Sequence, residues 1–274
     1  MLLRFPFIKS KELLAEFRHY EDYYKNKLDS NERASSQQHN INLAIDRYFK
    51  EMKDVDFPQT RDRMARLRTS NDTHSRQISI DVYADLKTAR ETFEDELNKH
   101  NFIYIPKDRQ HFINNPNLFG VEVSENFPSI KVELENAGNC YASDNHTACV
   151  FHLMRAVEIG GKALLSFMKA TKHLSRAKGG TKPKPISLCT WGDLKNAMKK
   201  ALDEQHSLAI TSPQKKAKYQ FCNEAVETFG HFQHAWRDKV SHSNVIYDKY
   251  YAQKIISSTE RFLKHLATKI EETK

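Results

Sequence analysis

Glycine and proline are scarce. Each occurs eight times in 274 residues, too few for a chain of short strands and tight turns. Cysteine is scarce as well. Cys140, Cys149, Cys189 and Cys222 stand far apart with no C-x-x-C pair, so the tetrahedral zinc pattern is missing and reduced thiols are expected. Long apolar runs are missing too. Met1 to Ile8 is apolar but broken by Arg4 and Pro6, and it is too short for a signal-peptide core or a membrane span. A cytoplasmic protein without membrane contact is therefore expected. Neither a glycine-rich phosphate loop nor a G-x-S-x-G nucleophile elbow is present, which removes two common enzyme classes. No motif calls for a metal or another cofactor, so none is expected.

What is present favours helices. The apolar fraction is 39%, with 16 Phe and 11 Tyr, enough to build a core; Lys, Glu, Ala, Leu and Gln are plentiful. Apolar residues at steps of three and four predict helices over about Ser10–Leu28, Asn40–Met52, Ile80–His100, Ser129–Ser143, His146–Met168 and onward from Tyr247. Thr190 with Asp193 three residues later reads as a capping box, and Ser212-Pro213 as a second helix start. The Arg-rich stretch 60–76 reads as a solvated face or a mobile segment. Leu118 to Val123 reads as a short extended piece. The expected fold class is all-α, with an accessory region at 1–114 and a helical domain at 115–274.

The formal charge is +8. From Lys162 to Lys200 there are ten Lys or Arg and one acid, Asp193. Clustered charge of this kind points to a polyanion. Within it, Lys172, Arg176, Lys178 and Lys182 are candidate contacts to nucleic-acid phosphates, a flexible solvated loop being the competing reading.

The most informative stretch is Arg237-Asp238-Lys239-Val240-Ser241-His242. Arg grips phosphate oxygens with a planar fork of donors. His exchanges protons near neutral pH. Five residues apart on one helix they would point about 140° apart, so they converge only where a helix ends or where a second subunit contributes. A helix terminus carrying favourable cations is the plainer reading. His231, His234 and His242 could also be drawn as a metal site, but no acid or further His supports that spacing.

The segment resembles the signature of the HEPN superfamily, whose ribonucleases carry R-x4-6-H with a polar residue directly after the Arg. Arg237, Asp238 and His242 fit it. Ala148 to Glu158, the A-G-x-C-x-A stretch Ala137 to Ala142, Phe119-Gly120, Phe127-Pro128 and Thr190-Trp191-Gly192 resemble a bacterial HEPN-like family of unassigned role. The resemblance covers about residues 115–274. It implies an all-α bundle that forms a homodimer with two motifs facing one cleft. It further implies a metal-independent endoribonuclease acting on RNA by 2′-OH attack, as a toxin or phage-defence effector with an antitoxin or regulatory protein as partner. Many HEPN proteins have lost catalysis and only bind. Some HEPN toxins carry a Tyr two residues after the His, where an antitoxin adenylylates it; here that position is Asn244. Arg155 and Glu158, three apart on one helix face, either orient the motif from behind or form a structural ion pair.

Overall fold

The computed structural model describes residues 7–30, 37–72, 78–100, 102–175, 183–207, 212–233 and 246–272. It is all-α, and among these residues no β-strand forms. The chain divides into two compact units, Leu3–Ile103 and Tyr104–Lys274.

The first unit contains α1 (Phe7–Asp29), α2 (Gln38–Glu51), α3 (Pro58–Asp72) and α4 (Ile78–Lys99). Helical spacing selects its core: Leu13, Phe17, Tyr20 and Tyr24 from α1; Ile41, Ala44, Ile45 and Tyr48 from α2; Val82, Leu86, Ala89 and Phe93 from α4. Phe93 meets Tyr48 and Phe57 edge-on, with ring centroids 5.3 and 5.7 Å apart, the geometry that ring quadrupoles favour.

The Arg-rich stretch is helical from Pro58 to Asp72. Its own apolar content is thin, Met64 and Leu67, and its first turn has no acid. The missing cap comes from α4. Buried Glu96 accepts hydrogen bonds from Gln59 N (3.1 Å), Thr60 N (2.9 Å) and Thr60 Oγ1 (2.6 Å), satisfying the free amides at the positive end of α3. Arg61 donates to the carbonyls of Met52, Lys53 and Val55, and Arg68 pairs with Asp46. These arginines hold the chain together more than they decorate it.

The second unit contains α5 (Val121–Asn126), α6 (Lys131–Ala142), α7 (His146–Phe167), α8 (Trp191–Ser207), α9 (Pro213–Phe232) and α10 (Lys249–Ala267). The stretch expected to be extended, 118–123, instead leads into α5. The division between units falls at 103/104. The reason is packing: the 3-10 turn Lys107–Phe112 lies against α6, where a Cβ on Gly138 would stand 2.4 Å from the Phe112 carbonyl oxygen, so this turn belongs to the second core.

α7 is the axis of that core. Cys149, Val150, Leu153, Met154, Ala156, Val157, Gly160, Gly161, Ala163, Leu164 and Leu165 are buried, so it is apolar nearly all round, as a central helix must be. α6, α8, α9 and α10 pack around it. Two adjacent glycines admit the closest neighbours. A Cβ on Gly161 would stand 2.3 Å from the Phe229 ring of α9, and one on Gly160 2.9 Å from Leu263 of α10.

Candidate functional site

The polar chemistry of the second unit sits on two flanks of α7. On the first, Glu133 of α6 is 7% exposed and divides its two oxygens. Oε2 lies 2.8 Å from His152 Nδ1, and Oε1 accepts from Arg155 Nε at 2.6 Å. An ionised carboxylate only accepts, so His152 donates from Nδ1 and its ring is oriented with Nε2 directed away from Glu133. The Arg155 side chain is 57% exposed beyond this contact and lies 6.0 Å from the centroid of the half-exposed Phe151 ring. A cation and an oriented imidazole thus share one face, fixed by one buried acid.

On the second flank, Glu158 accepts from Trp191 Nε1 at 2.8 Å and pairs with Lys162 at 2.7 Å. Trp191 opens α8 and stacks on Phe229 of α9, with centroids 4.6 Å apart and planes 11° apart. Arg155 and Glu158, expected to act together, therefore hold different partners from different helices.

α8 begins as the sequence predicts. Thr190 Oγ1 accepts from Asp193 N at 3.2 Å, and Asp193 Oδ2 accepts from Thr190 N at 2.9 Å, a reciprocal capping box. That backbone hydrogen bond, with help from Lys184 at 3.0 Å, lowers the Asp193 pKa to about 2. Burial pushes the Cys149 thiol well above its ordinary range, which makes it a poor nucleophile.

Arg237, Asp238 and His242 lie outside the described residues, but the chain on either side of them is described. At the end of α9, Gln233 Nε2 would be 3.9 Å from a Cβ on Gly192, beside Trp191. Where the description resumes, Tyr247 N donates to Thr147 Oγ1 at 3.0 Å. Thr147 and Glu158 are eleven residues apart on α7, about 16 Å along its axis. Tyr247 is thus tied to α7, the helix that carries His152, Arg155 and Glu158, and Gln233 lies near the start of α8.

Of the residues expected to contact nucleic acid, Arg176, Lys178 and Lys182 lie outside the described residues. Lys172 pairs with Glu204 at 2.6 Å. Three more lysines of the run are matched: Lys162 with Glu158, Lys184 with Asp193, and Lys199 with Glu227. Three of these four carboxylates, Glu158, Glu204 and Glu227, lie outside 162–200, so a charge count over the run does not register them. Glu133, His152 and Trp191 were not named as site residues from sequence, yet Glu133 carries a readable signal: it is an acid in register with the apolar stripe Ile130, Leu134 and Ala137, where a charge needs a partner. Among the described residues no three His, Cys, Asp or Glu side chains converge as a metal site, and no helix is long and apolar enough to cross a membrane. His234 and His242 of the sketched histidine site are outside the described residues.

No protein-family model, no curated protein and no solved structure matches the chain.

Proposed function

We propose that this protein is a metal-independent endoribonuclease of HEPN type. The observation that carries the reading is Arg237-x4-His242, in a segment followed by Tyr247, whose amide donates to Thr147 of α7. The all-α bundle and the acid-fixed pair of His152 and Arg155 on its surface are compatible with handling a phosphodiester. In the proposed step, His242 takes the proton of a ribose 2′-OH, and that oxygen attacks the adjacent phosphorus. Arg237 neutralises charge growing on the non-bridging oxygens, aligned by Asp238 beside it. The bond from phosphorus to the 5′-oxygen breaks, and a second His242 from a partner copy returns a proton to that oxygen. The products are a 2′,3′-cyclic phosphate and a 5′-hydroxyl. One motif supplies one base and one cation; a two-fold homodimer supplies both again around one cleft. With Asn244 where some HEPN toxins have Tyr, control by adenylylation at that position is not part of the proposal, while a toxin or phage-defence role with a separate regulatory protein is.

The test is incubation of the purified chain with total RNA in EDTA beside Arg237→Ala/His242→Ala. Cleavage by the wild type alone, with cyclic-phosphate termini, is the expected result. Equal cutting by both, or by neither, overturns it, and RNA retention without products assigns the chain to binding alone. Light scattering should give about twice 31.9 kDa.

A further inference from the structure

One corner of the second unit is basic in a way its fold does not require. α9 starts at Ser212, whose hydroxyl accepts from Lys215 N at 3.2 Å. Its first two turns then carry Lys215, Lys216 and Lys218 and no acid. Cations at this end oppose the helix dipole, which favours anions there. A local rule broken without evident structural gain marks a position kept for another purpose.

The neighbouring helices supply the rest. Lys218 Nζ lies 4.6 Å from the centroid of Phe167, just before α7 ends, and Lys269 Nζ, just past α10, lies 4.9 Å from that of Phe221. The two rings are themselves 6.0 Å apart, so two ammonium groups from different helices are held over adjoining rings. Both press on one neighbour: the charges of Lys218 and Lys269 partly offset the burial that raises the buried Cys222 thiol. Phe221 also stacks on His265 at 4.5 Å, and His265 Nε2 is buried with no hydrogen-bond partner.

No carboxylate among the described residues pairs with Lys215, Lys216, Lys218 or Lys269, although Lys162, Lys172, Lys184, Lys199 and Lys264 each have one. All four are exposed. Aromatic faces hold a cation without neutralising it, so two of these charges are positioned yet still free to meet an anion. Lys215 and Lys218 are three apart and share one side of α9, which lines three of the cations along one edge.

We propose that Lys215, Lys218 and Lys269 form a phosphate-binding edge for single-stranded RNA, distinct from the basic run at 162–200; the choice of RNA as the polyanion rests on the ribonuclease reading, the edge itself does not. A string of phosphates matches a line of point charges. An anionic membrane surface is the poorer fit, because a peripheral membrane site joins its cations to apolar side chains that insert. None of the exposed large apolar residues belongs to α9 or to 264–270. On α10 the exposed Tyr250 and Tyr251 are at its other end, about 27 Å away; the exposed Val121 and Val132, on the segments bonded to Ala267 and Glu272, offer short branched side chains and no aromatic or long aliphatic anchor.

The experiment uses full-length chain and a fluorescent, uncleavable 2′-O-methyl RNA 20-mer, with Kd measured by anisotropy across a salt series. Lys218→Gln/Lys269→Gln should raise Kd about tenfold and flatten the slope of log K on log salt by about 1.4, two single-strand phosphate contacts at about 0.7 each. Lys218→Arg/Lys269→Arg should bind like the wild type. Lys249→Gln/Lys254→Gln, at the far end of α10, should change neither quantity. Helicity by circular dichroism should be the same in all. An unchanged Kd in the Gln variant overturns the edge, as does an equal loss in the α10 control. Lysine-dependent binding to anionic vesicles or polyglutamate, with none to RNA, overturns the choice of partner. Cleavage of ordinary RNA is scored separately, so failure of the ribonuclease reading leaves this result readable.

Discussion

The two units handle buried charge differently. In Leu3–Ile103, charged side chains complete the architecture. Glu96 caps α3 from α4, Arg61 closes the α2–α3 turn, and Arg90, nearly buried, is shared between Glu21 at 2.6 Å and Glu94 at 2.9 Å. In Tyr104–Lys274 the axis is apolar, and close approach is arranged by glycine. The polar groups are moved to its flanks, where Glu133 presents His152 and Arg155 to the surface. A charge whose every donor or acceptor is taken up inside the fold cannot also meet a substrate. Polar groups presented at the surface by a buried acid thus mark the second unit, and charges engaged in caps and turns mark the first.

The sharpest way to break this contrast is Glu96→Leu. It leaves two amides and a hydroxyl near the start of α3 without acceptors, and should destabilise the first unit by about 3 kcal/mol. Hydrogen exchange should show protection lost over 58–99 and kept along α7; loss in both units would mean that they share one folding unit. Gly161→Ala comes next. Its Cβ meets the rigid Phe229 ring at 2.3 Å, so about 2–3 kcal/mol of overpacking is expected in chemical denaturation. Gly192→Ala, with nothing closer than 3.7 Å, should be neutral or slightly stabilising.

Glu133→Gln should cost about 1.5–2 kcal/mol, since hydrogen bonds to charged groups are the stronger ones. It should also lower RNA cleavage if His152 and Arg155 serve the site; unchanged cleavage with the same stability loss would reduce them to structure. The smallest destabilisation is expected from Asp193→Asn, about 1 kcal/mol, the worth of a helix cap. Asp193 is held at about 2 in the fold, below the ordinary aspartate value of about 4. A depressed acid stabilises above its unfolded pKa, and that contribution fades as pH falls from about 4 toward 2. Thermal melts across that window should show less pH dependence in the Asn variant.

What could be read from sequence was what depends on local pattern. The periodic helices α1, α4, α7 and α10 and the caps at Thr190 and Ser212 all follow from neighbours within four residues. What depends on distant partners could not be read. α3 is thinly apolar, and its cap comes from a glutamate 36 residues away. Arg155 sits three residues from Glu158 in the chain but takes Glu133 from the helix before. The run at 162–200 counts as strongly basic in one dimension, yet Lys162, Lys172, Lys184 and Lys199 meet carboxylates in three, while the lysines at the start of α9 are too few to stand out in a charge count. Phe229 was legible as a buried aromatic, but its contact with Gly161 depends on how two helices cross.

Trp191 gives the second unit an optical property. Its indole is buried, bonded to Glu158, and stacked on a ring one turn before Gln233. The chain has only one other tryptophan, Trp236. With Trp236→Phe, emission from a single indole reports on the end of α9. Any rearrangement there that pulls Phe229 from its stack, or breaks the bond to Glu158, should shift that emission toward longer wavelength as water reaches the ring. The protein thus carries its own fluorophore at the start of α8, and stopped-flow mixing with RNA can time events there without an added label.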